Sequence, residues 1–204
     1  MKLAKHLAVL ALGAIPVIGA NPASSTREVF DKKLSFAERE VMNVVETMLA
    51  DKFNFAPTQG AFAHVRTFGV QARHIAFCLN EVAIALLGEK MLEHTDQEGP
   101  RSLTSKGDIV SYLKDAFAHA HRAIRTLTND NLLEQIADPY VEKRHATRLD
   151  AAETSLSHTW DHYGQMVEYL RMNNLVPPGI PIESGPRSAS RHFSSRSVPR
   201  TAAR

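Results

Sequence analysis

Cysteine is almost missing from this chain: Cys78 is the only one in 204 residues. An internal disulfide is therefore excluded. The fold must rest on a hydrophobic core, which this length and a 44% hydrophobic content allow. Surplus charge is missing as well. A formal net charge of +2 supplies no overall electrostatic reason to bind nucleic acid. No internal repeat is present, and no stretch carries the alternating pattern of a strand.

What charge there is lies unevenly. Between Glu183 and Arg204 stand five arginines (Arg187, Arg191, Arg196, Arg200 and Arg204) and one acid. Serine, arginine, proline and alanine dominate there, so residues 179–204 are expected to be a disordered tail. Such a tail can be drawn to anionic lipid or nucleic acid, or it can simply solubilise the chain. Phe193 is the one aromatic within it, which favours the second reading and no specific nucleic-acid partner.

The opposite end reads as an address. Lys2 and Lys5 precede an uncharged stretch, Leu7 to Ala20, followed by small residues suited to cleavage. This is the layout of a secretory signal peptide over residues 1–20. Its apolar run is shorter than the roughly 20 residues that span a bilayer. The mature chain is expected to be exported, periplasmic or secreted, without stable membrane insertion.

Helical patterns fill the middle. The first runs from about Ser35 to Leu49, where Ser35 and Glu38 form a capping-box signature. A second extends from about Thr67 to Leu87. A third follows Ser105 to about Leu127, with Ile109, Leu113, Phe117, Ala120, Ile124 and Leu127 as an apolar stripe. Residues Ala137 to Arg148 lack a helical period and read as a loop. A fourth helix runs from Leu149 to Met172, and the prolines of "VPPGIP" end it. Four amphipathic helices without strands predict an all-α four-helix bundle. The long connections before the third and fourth helices permit a crossover.

The chemistry concentrates on "HTWDHYGQ", His158 to Gln165. Laid out at about 100° per residue, the fourth helix puts Asp150, Glu153, Ser157, Asp161, Gly164, Glu168 and Arg171 on one wet stripe. His158 and His162 fall off it, among covered positions. Residues four apart share a face at roughly 5–6 Å, so the two imidazoles can hold one metal ion. His74 lies between two apolar sectors of the second helix, where a buried imidazole needs a partner, and a third imidazole from a facing helix would complete a three-nitrogen site. Three histidines suit Zn, with Ni, Fe and Mn admitted, and leave an open position for water or substrate. The spacing is not that of a zinc protease, because Thr159 stands where the catalytic Glu would be. Asp161, on the wet stripe, is a poor general base.

Other residues carry two readings. Cys78, one turn after His74, can approach a metal or serve as a small core residue, the reading favoured here. Glu81, two turns after His74, is a candidate proton shuttle or a charge at the bundle edge. Gln165 can touch bound solvent. Trp160 and Tyr163 are expected to pack the core, and His119 and His121 to lie on the surface.

The segments "FNFAPTQGAFAHVRTFGVQARHIA" (Phe53 to Ala76), "DIVSYLKDAFAHAHRAI" and "HTWDHYGQMVEYLRMNNLVPP" (His158 to Pro178) resemble the DinB-like (DinB/YfiT-like) family. The resemblance covers residues 30–178. It implies an up-down-down-up bundle, often dimeric, with a divalent metal on three histidines, which map to His74, His158 and His162. It also implies a metal-dependent enzyme acting on a small molecule as hydrolase or thiol-type transferase. Members with assigned activity include thiol-dependent transferases and a mycothiol-dependent isomerase, whereas many have no known reaction. The signal peptide and the arginine-rich tail depart from the family pattern, and export weakens the low-molecular-weight thiol reading. A non-catalytic metal-binding or dimeric interaction bundle is the alternative.

Overall fold

A computed structural model describes residues 25–90, 96–141 and 143–179. The signal-peptide reading and residues 180–204 of the tail lie outside the described residues. Four α-helices carry the fold: α1 (Thr26–Thr47), α2 (Phe68–Leu87), α3 (Lys106–Ile124) and α4 (Arg148–Met172). The 3-10 turn Ala50–Lys52 follows α1, and a short antiparallel pair, β1 (Gln135–Ala137) and β2 (His145–Thr147), precedes α4.

Cap chemistry sets the helix starts. Thr67, Ser105 and Thr147 each accept a hydrogen bond from a backbone amide in the first turn. The first helix begins ten residues earlier than its Ser35–Glu38 signature suggests. The working capping box is Ser25 with Glu28, both reciprocal bonds being made. Ser35 sits inside the helix, where its hydroxyl donates to the Asp31 carbonyl.

The helix directions follow from side-chain contacts. Gly69, at the start of α2, faces Ile109 at the start of α3, and His119 near the end of α3 bonds Asn80 late in α2. These two helices are therefore parallel neighbours. Lys106 caps the carbonyls of Glu46 and Met48, so α1 runs opposite to α3. Arg148, at the start of α4, donates to the carbonyl of Leu86 at the end of α2. The order is up-down-down-up, and the described residues 96–105 of the connection lie beside α2, where Arg73 donates to the carbonyls of Glu98 and Leu103.

The core is continuous and draws on all four helices, with Leu34, Val41, Phe68, Ile75, Leu79, Leu113, Phe117, Met166 and Leu170 buried in it. Helix α2 is covered almost all round, with seventeen of its residues buried. It is long and apolar enough to cross a membrane, but here it is the central helix of the bundle. The wet stripe of α4 is as expected, with Asp150, Glu153, Ser157, Asp161, Gly164, Glu168 and Arg171 exposed.

Two expectations need correction. The three-residue strands β1 and β2 pair across residues 135–147, part of which reads as a loop, because a period search cannot find strands so short. His119 and His121 are not surface residues, their side chains being 15% and 13% exposed. His121 reaches two carboxylates of α1, Asp31 at 2.6 Å and Glu38 at 3.2 Å. Trp160 and Tyr163 pack against the core as expected, each half-buried, and Trp160 also touches the exposed ring of Phe36.

Candidate metal centre

Helix α4 presents His158 and His162 one turn apart, and α2 presents His74 opposite them. The three ring centroids lie 4.4–4.9 Å from one another. Nε2 of His158 is 3.2 Å from Nε2 of His74 and 3.1 Å from Nε2 of His162. Hydrogen bonds cannot satisfy this triangle. His158 Nε2 has either one proton or one lone pair to offer, and two nitrogens face it.

The tautomer of His74 is set from outside the ring cluster. Its Nδ1 lies 2.5 Å from the Gln97 carbonyl oxygen, which only accepts, so Nδ1 carries the proton and Nε2 keeps its lone pair toward the cluster. An outer carbonyl of this kind orients a metal-ligating histidine. Arg73, the residue before it, donates to the carbonyls of Glu98 and Leu103. Neighbouring residues of α2 thus grip the same loop.

All three imidazoles are held neutral. Burial, with the charge of His74, takes His158 down to about 4. Burial and both neighbouring histidines take His162 down to about 3. For His74 burial outweighs the Gln97 bond, and the pKa is again lowered. Neutral imidazole is the form that ligates a metal. An ion holding imidazoles at about 2.1 Å keeps its nitrogens about 3.0–3.4 Å apart, and the two measured separations fall within that range. By donor type, protonation state and spacing, the residues fit a divalent ion.

Cys78 is buried on the same wall, its sulfur 3.8 Å from both ring nitrogens of His74. The donor atoms of His74, Cys78 and His158 lie within 4.8 Å of one another, so these three also form a group that could hold a metal. Without an ion the thiol is inert: burial pushes it up to about 12, against a smaller opposite pull from Arg66. His74 and His158 are common to both donor sets, whereas His162 and Cys78 distinguish them.

The histidines open into a cavity of about 290 Å³. Its wall includes Arg66, Phe77, Glu81, Gln97, Pro139, Tyr140 and Asp161. Glu81 is therefore placed at the site, 7% exposed. Gln165 is not on the wall: its amide spans Gln71 at 2.7 Å and Asp161 at 3.0 Å. Asp161 is exposed as expected but also reaches the cavity, tied there by Gln165.

Arg66, Gln97 and Tyr140 were not found by sequence reasoning. All three lie in irregular segments, where no period marks which side chains point inward. Tyr140 is placed by Asp138. That carboxylate accepts from the amides of Tyr140 and Val141 and from Arg144 Nε. Burial opposes the ionised form, but these donors together hold the Asp138 carboxyl below its usual value. The Tyr140 ring then stands 6.2 Å from that of His158, and its hydroxyl donates to the Cys78 carbonyl.

Gly99 gives a test of the supporting loop. Its φ is +74°, and an added Cβ would lie 3.1 Å from the Arg73 carbonyl oxygen and 3.1 Å from its Cγ. Gly99→Ala should shift the loop that carries the Gln97 carbonyl and weaken metal binding roughly 10-fold without touching a donor. Zinc titration of the variant against wild type checks this, and equal affinities would remove the outer-carbonyl argument.

Comparison with known proteins agrees with this architecture. A DinB-like protein from Bacillus cereus ATCC 10987 is 18% identical, with a TM-score of 0.59 over 77% of this chain and 98% of its own. A DinB-like protein from Bacillus subtilis is 13% identical, with a TM-score of 0.53 over 72% of this chain and 92% of its own. At such identities the likeness is one of fold. No curated protein matches the chain. The family model of the DinB superfamily matches residues 33–166, which takes in all three histidines and most of the helical body. The chain belongs to the DinB superfamily.

Proposed function

We propose that this is an exported, divalent-metal-dependent enzyme of the DinB superfamily, with His74, His158 and His162 as ligands. The observation that carries the reading is the His158 Nε2 atom, set 3.2 Å from Nε2 of His74 and 3.1 Å from Nε2 of His162, a pair of contacts that a cation satisfies and protons cannot. The ion, when bound, supplies Lewis acidity toward a water, a thiol or a substrate oxygen. The chain's own residues do the rest. Gln97 fixes the donor tautomer of His74. Phe77, Pro139 and Tyr140 form an apolar wall that limits water around the reacting group. Glu81 is the buried carboxylate at the cavity and the residue we assign to holding a transferred proton. Hydrolysis or group transfer on a small molecule fits a cavity of this size. Metal analysis of purified protein by mass spectrometry, with Zn, Ni, Fe and Mn as candidates, tests the reading. A folded wild-type protein that holds none of them after metal loading would overturn it. N-terminal sequencing of exported material, expected to lack about the first twenty residues, tests the location.

Cys78 favours a second reading. If its sulfur completes a four-donor set, the ion is saturated as in a structural site, and the protein is a non-catalytic metal-binding bundle. Cobalt substitution separates the two. A thiolate-to-cobalt absorption band that disappears in Cys78→Ser supports the second reading, and its absence in wild type supports the first.

Homodimer formation is part of the proposal. Val29, Phe30, Phe36, Leu156 and Trp160 line an apolar groove between α1 and α4, with Lys32 and Lys33 on one side and Glu153 on the other. A two-fold pairing would set lysine against glutamate. Phe36, 49% exposed, is the side chain to test. Phe36→Glu should convert a dimer into a monomer by light scattering, and a monomeric wild type would end the idea.

A further inference from the structure

Two cavities meet at one turn of the chain. The metal cavity, about 290 Å³, and a second cavity of about 350 Å³ share Pro139, Tyr140 and Thr154 among their lining residues. The second is lined further by Asp138, Arg144, His145 and Asp150, and none of the three clustered histidines borders it. Thr154 stands one turn before His158 on α4, on the same face of the helix. The boundary between the cavities therefore lies directly beside the histidine cluster.

Tyr140 is set as a bar along that boundary. Its backbone amide donates to the Asp138 carboxylate at 2.8 Å, and the same carboxylate takes the Val141 amide and Arg144 Nε. The Asp138 side chain is 4% exposed, so the turn that carries Tyr140 is pinned from inside. From this turn the ring passes α4, 6.2 Å from the His158 ring and tilted 33° to it. The hydroxyl ends on α2, where it donates to the Cys78 carbonyl at 3.3 Å. Burial pushes the phenol well above its usual range, so it stays a neutral donor. That bond is long for a hydroxyl. The obstacle to a ligand is the ring itself, packed against the core.

The consequence is a limit on length. A ligand seated at the histidines meets the Tyr140 ring on the side that leads to the second cavity. The metal cavity alone is at the small end for ligand pockets, and the two joined would lie well inside the usual range. We propose that Tyr140 sets the length of the substrate. Compounds that end at its ring reach the histidine cluster, and longer ones that would run on into the second cavity are excluded. The inference deepens the site proposed above and rests on that reading only in calling the ligand a substrate.

Two neutral probes test it, benzyl alcohol and the longer 4-(benzyloxy)benzyl alcohol. Each is titrated into the full chain, metal-stripped and zinc-loaded. The His158 ring protons are followed by NMR, so that only binding at the cluster is counted. Wild type should bind the short alcohol more tightly than the long one. Tyr140→Ala should improve the long alcohol relative to the short one by about 10-fold or more, because its second ring can take the place of the missing side chain. Tyr140→Leu, a smaller truncation, should give part of that gain. Tyr140→Phe keeps the ring and should discriminate as wild type does. Circular dichroism melts establish that the variants are folded, and Tyr140→Leu decides the matter if Tyr140→Ala is not. No binding of the short alcohol to wild type, equal or tighter binding of the long one, or an unchanged ratio in the folded truncation variants would each overturn the proposal. Because the ratio is also read without metal, a chain that binds no metal yet loses its discrimination in Tyr140→Ala defeats the metal reading alone. A chain that binds zinc but keeps its ratio in Tyr140→Ala defeats the length assignment alone.

Discussion

Replacing His158 by alanine will empty the site while leaving the bundle folded. His158 Nε2 is the nitrogen that both other imidazoles face, at 3.2 and 3.1 Å, and His158 belongs to both possible donor sets. Its side chain borders an existing cavity, so truncation removes little packing and should change metal-free stability by no more than about 1 kcal/mol. The effect on metal is far larger. Structural zinc sites with four ligands bind with about 10–16 kcal/mol, or roughly 3 kcal/mol for each ligand, so losing one lowers affinity by about two decades. The protein as purified should carry about one ion per chain and the variant almost none. Added metal at about 100 times the wild-type dissociation constant should raise wild-type stability by about 2.7 kcal/mol and that of His158→Ala by only about 0.4 kcal/mol. His145→Ala, exposed on β2, is the control and should behave as wild type. Two further variants identify the third ligand. If His162→Ala loses the metal and Cys78→Ser keeps it, three imidazoles hold the ion. The reverse result assigns the site to His74, Cys78 and His158.

The bundle was readable because its signals are local and periodic. The apolar stripe of α3 and the wet stripe of α4 repeat over five or more turns, and Thr67 and Ser105 mark helix starts by their own short-range bonds. The first helix shows the limit of such a signal. Ser25–Glu28 and Ser35–Glu38 have the same spacing, and only the structure decides which one caps. Leu34 is buried on the same face as Val41, so the helix continues back through Ser35. The histidine cluster was legible in part, since two donors share one helix and the covered arc could be laid out. Its environment was not. His119 and His121 read as surface residues because their partners Asn80, Asp31 and Glu38 come from other helices. Gln97, Arg66 and Tyr140 reach the cavity from loops, whose paths depend on side-chain anchors that no period reveals, such as Arg73 from α2 and Asp138 within its own turn. The same dependence explains Gln165: spacing put it near a ligand, but Gln71 and Asp161 hold its amide away from the cavity.

Acid will destabilise the metal-free protein in a window set by the histidines. His158 is lowered to about 4 and His162 to about 3, by burial first and mutual repulsion second, whereas an unfolded chain returns both to about 6.5. With the folded value below the unfolded one, the unfolded state binds more protons between these limits, and stability falls as pH falls. Above pH of about 6.5 both states are neutral and there is no effect. Each histidine can contribute a slope of at most about 1.4 kcal/mol per pH unit. The cavity admits solvent, which screens the charge, so a combined loss of roughly 2–3 kcal/mol between pH 7 and 4 is expected. The carboxylates of Asp138 and Asp150 are held below their usual values, the first by its amide and Arg144 donors against burial and the second by Thr147. Their stabilising contribution is present above the unfolded value and is lost as pH falls through the lowered one, a window below that of the histidines. Urea denaturation at pH 7, 6, 5 and 4.5 on chelator-treated protein measures the slope. The double variant His158→Gln, His162→Gln should give a clearly shallower decline over that range than wild type, with the buried His74 keeping a lowered value of its own. Metal-loaded wild type should decline more steeply, because protons then compete with the ion for the same lone pairs. Parallel profiles for metal-free wild type and the double variant would show that the three nitrogens are not held neutral by the fold, and the triangle would lose its standing as a preformed metal site.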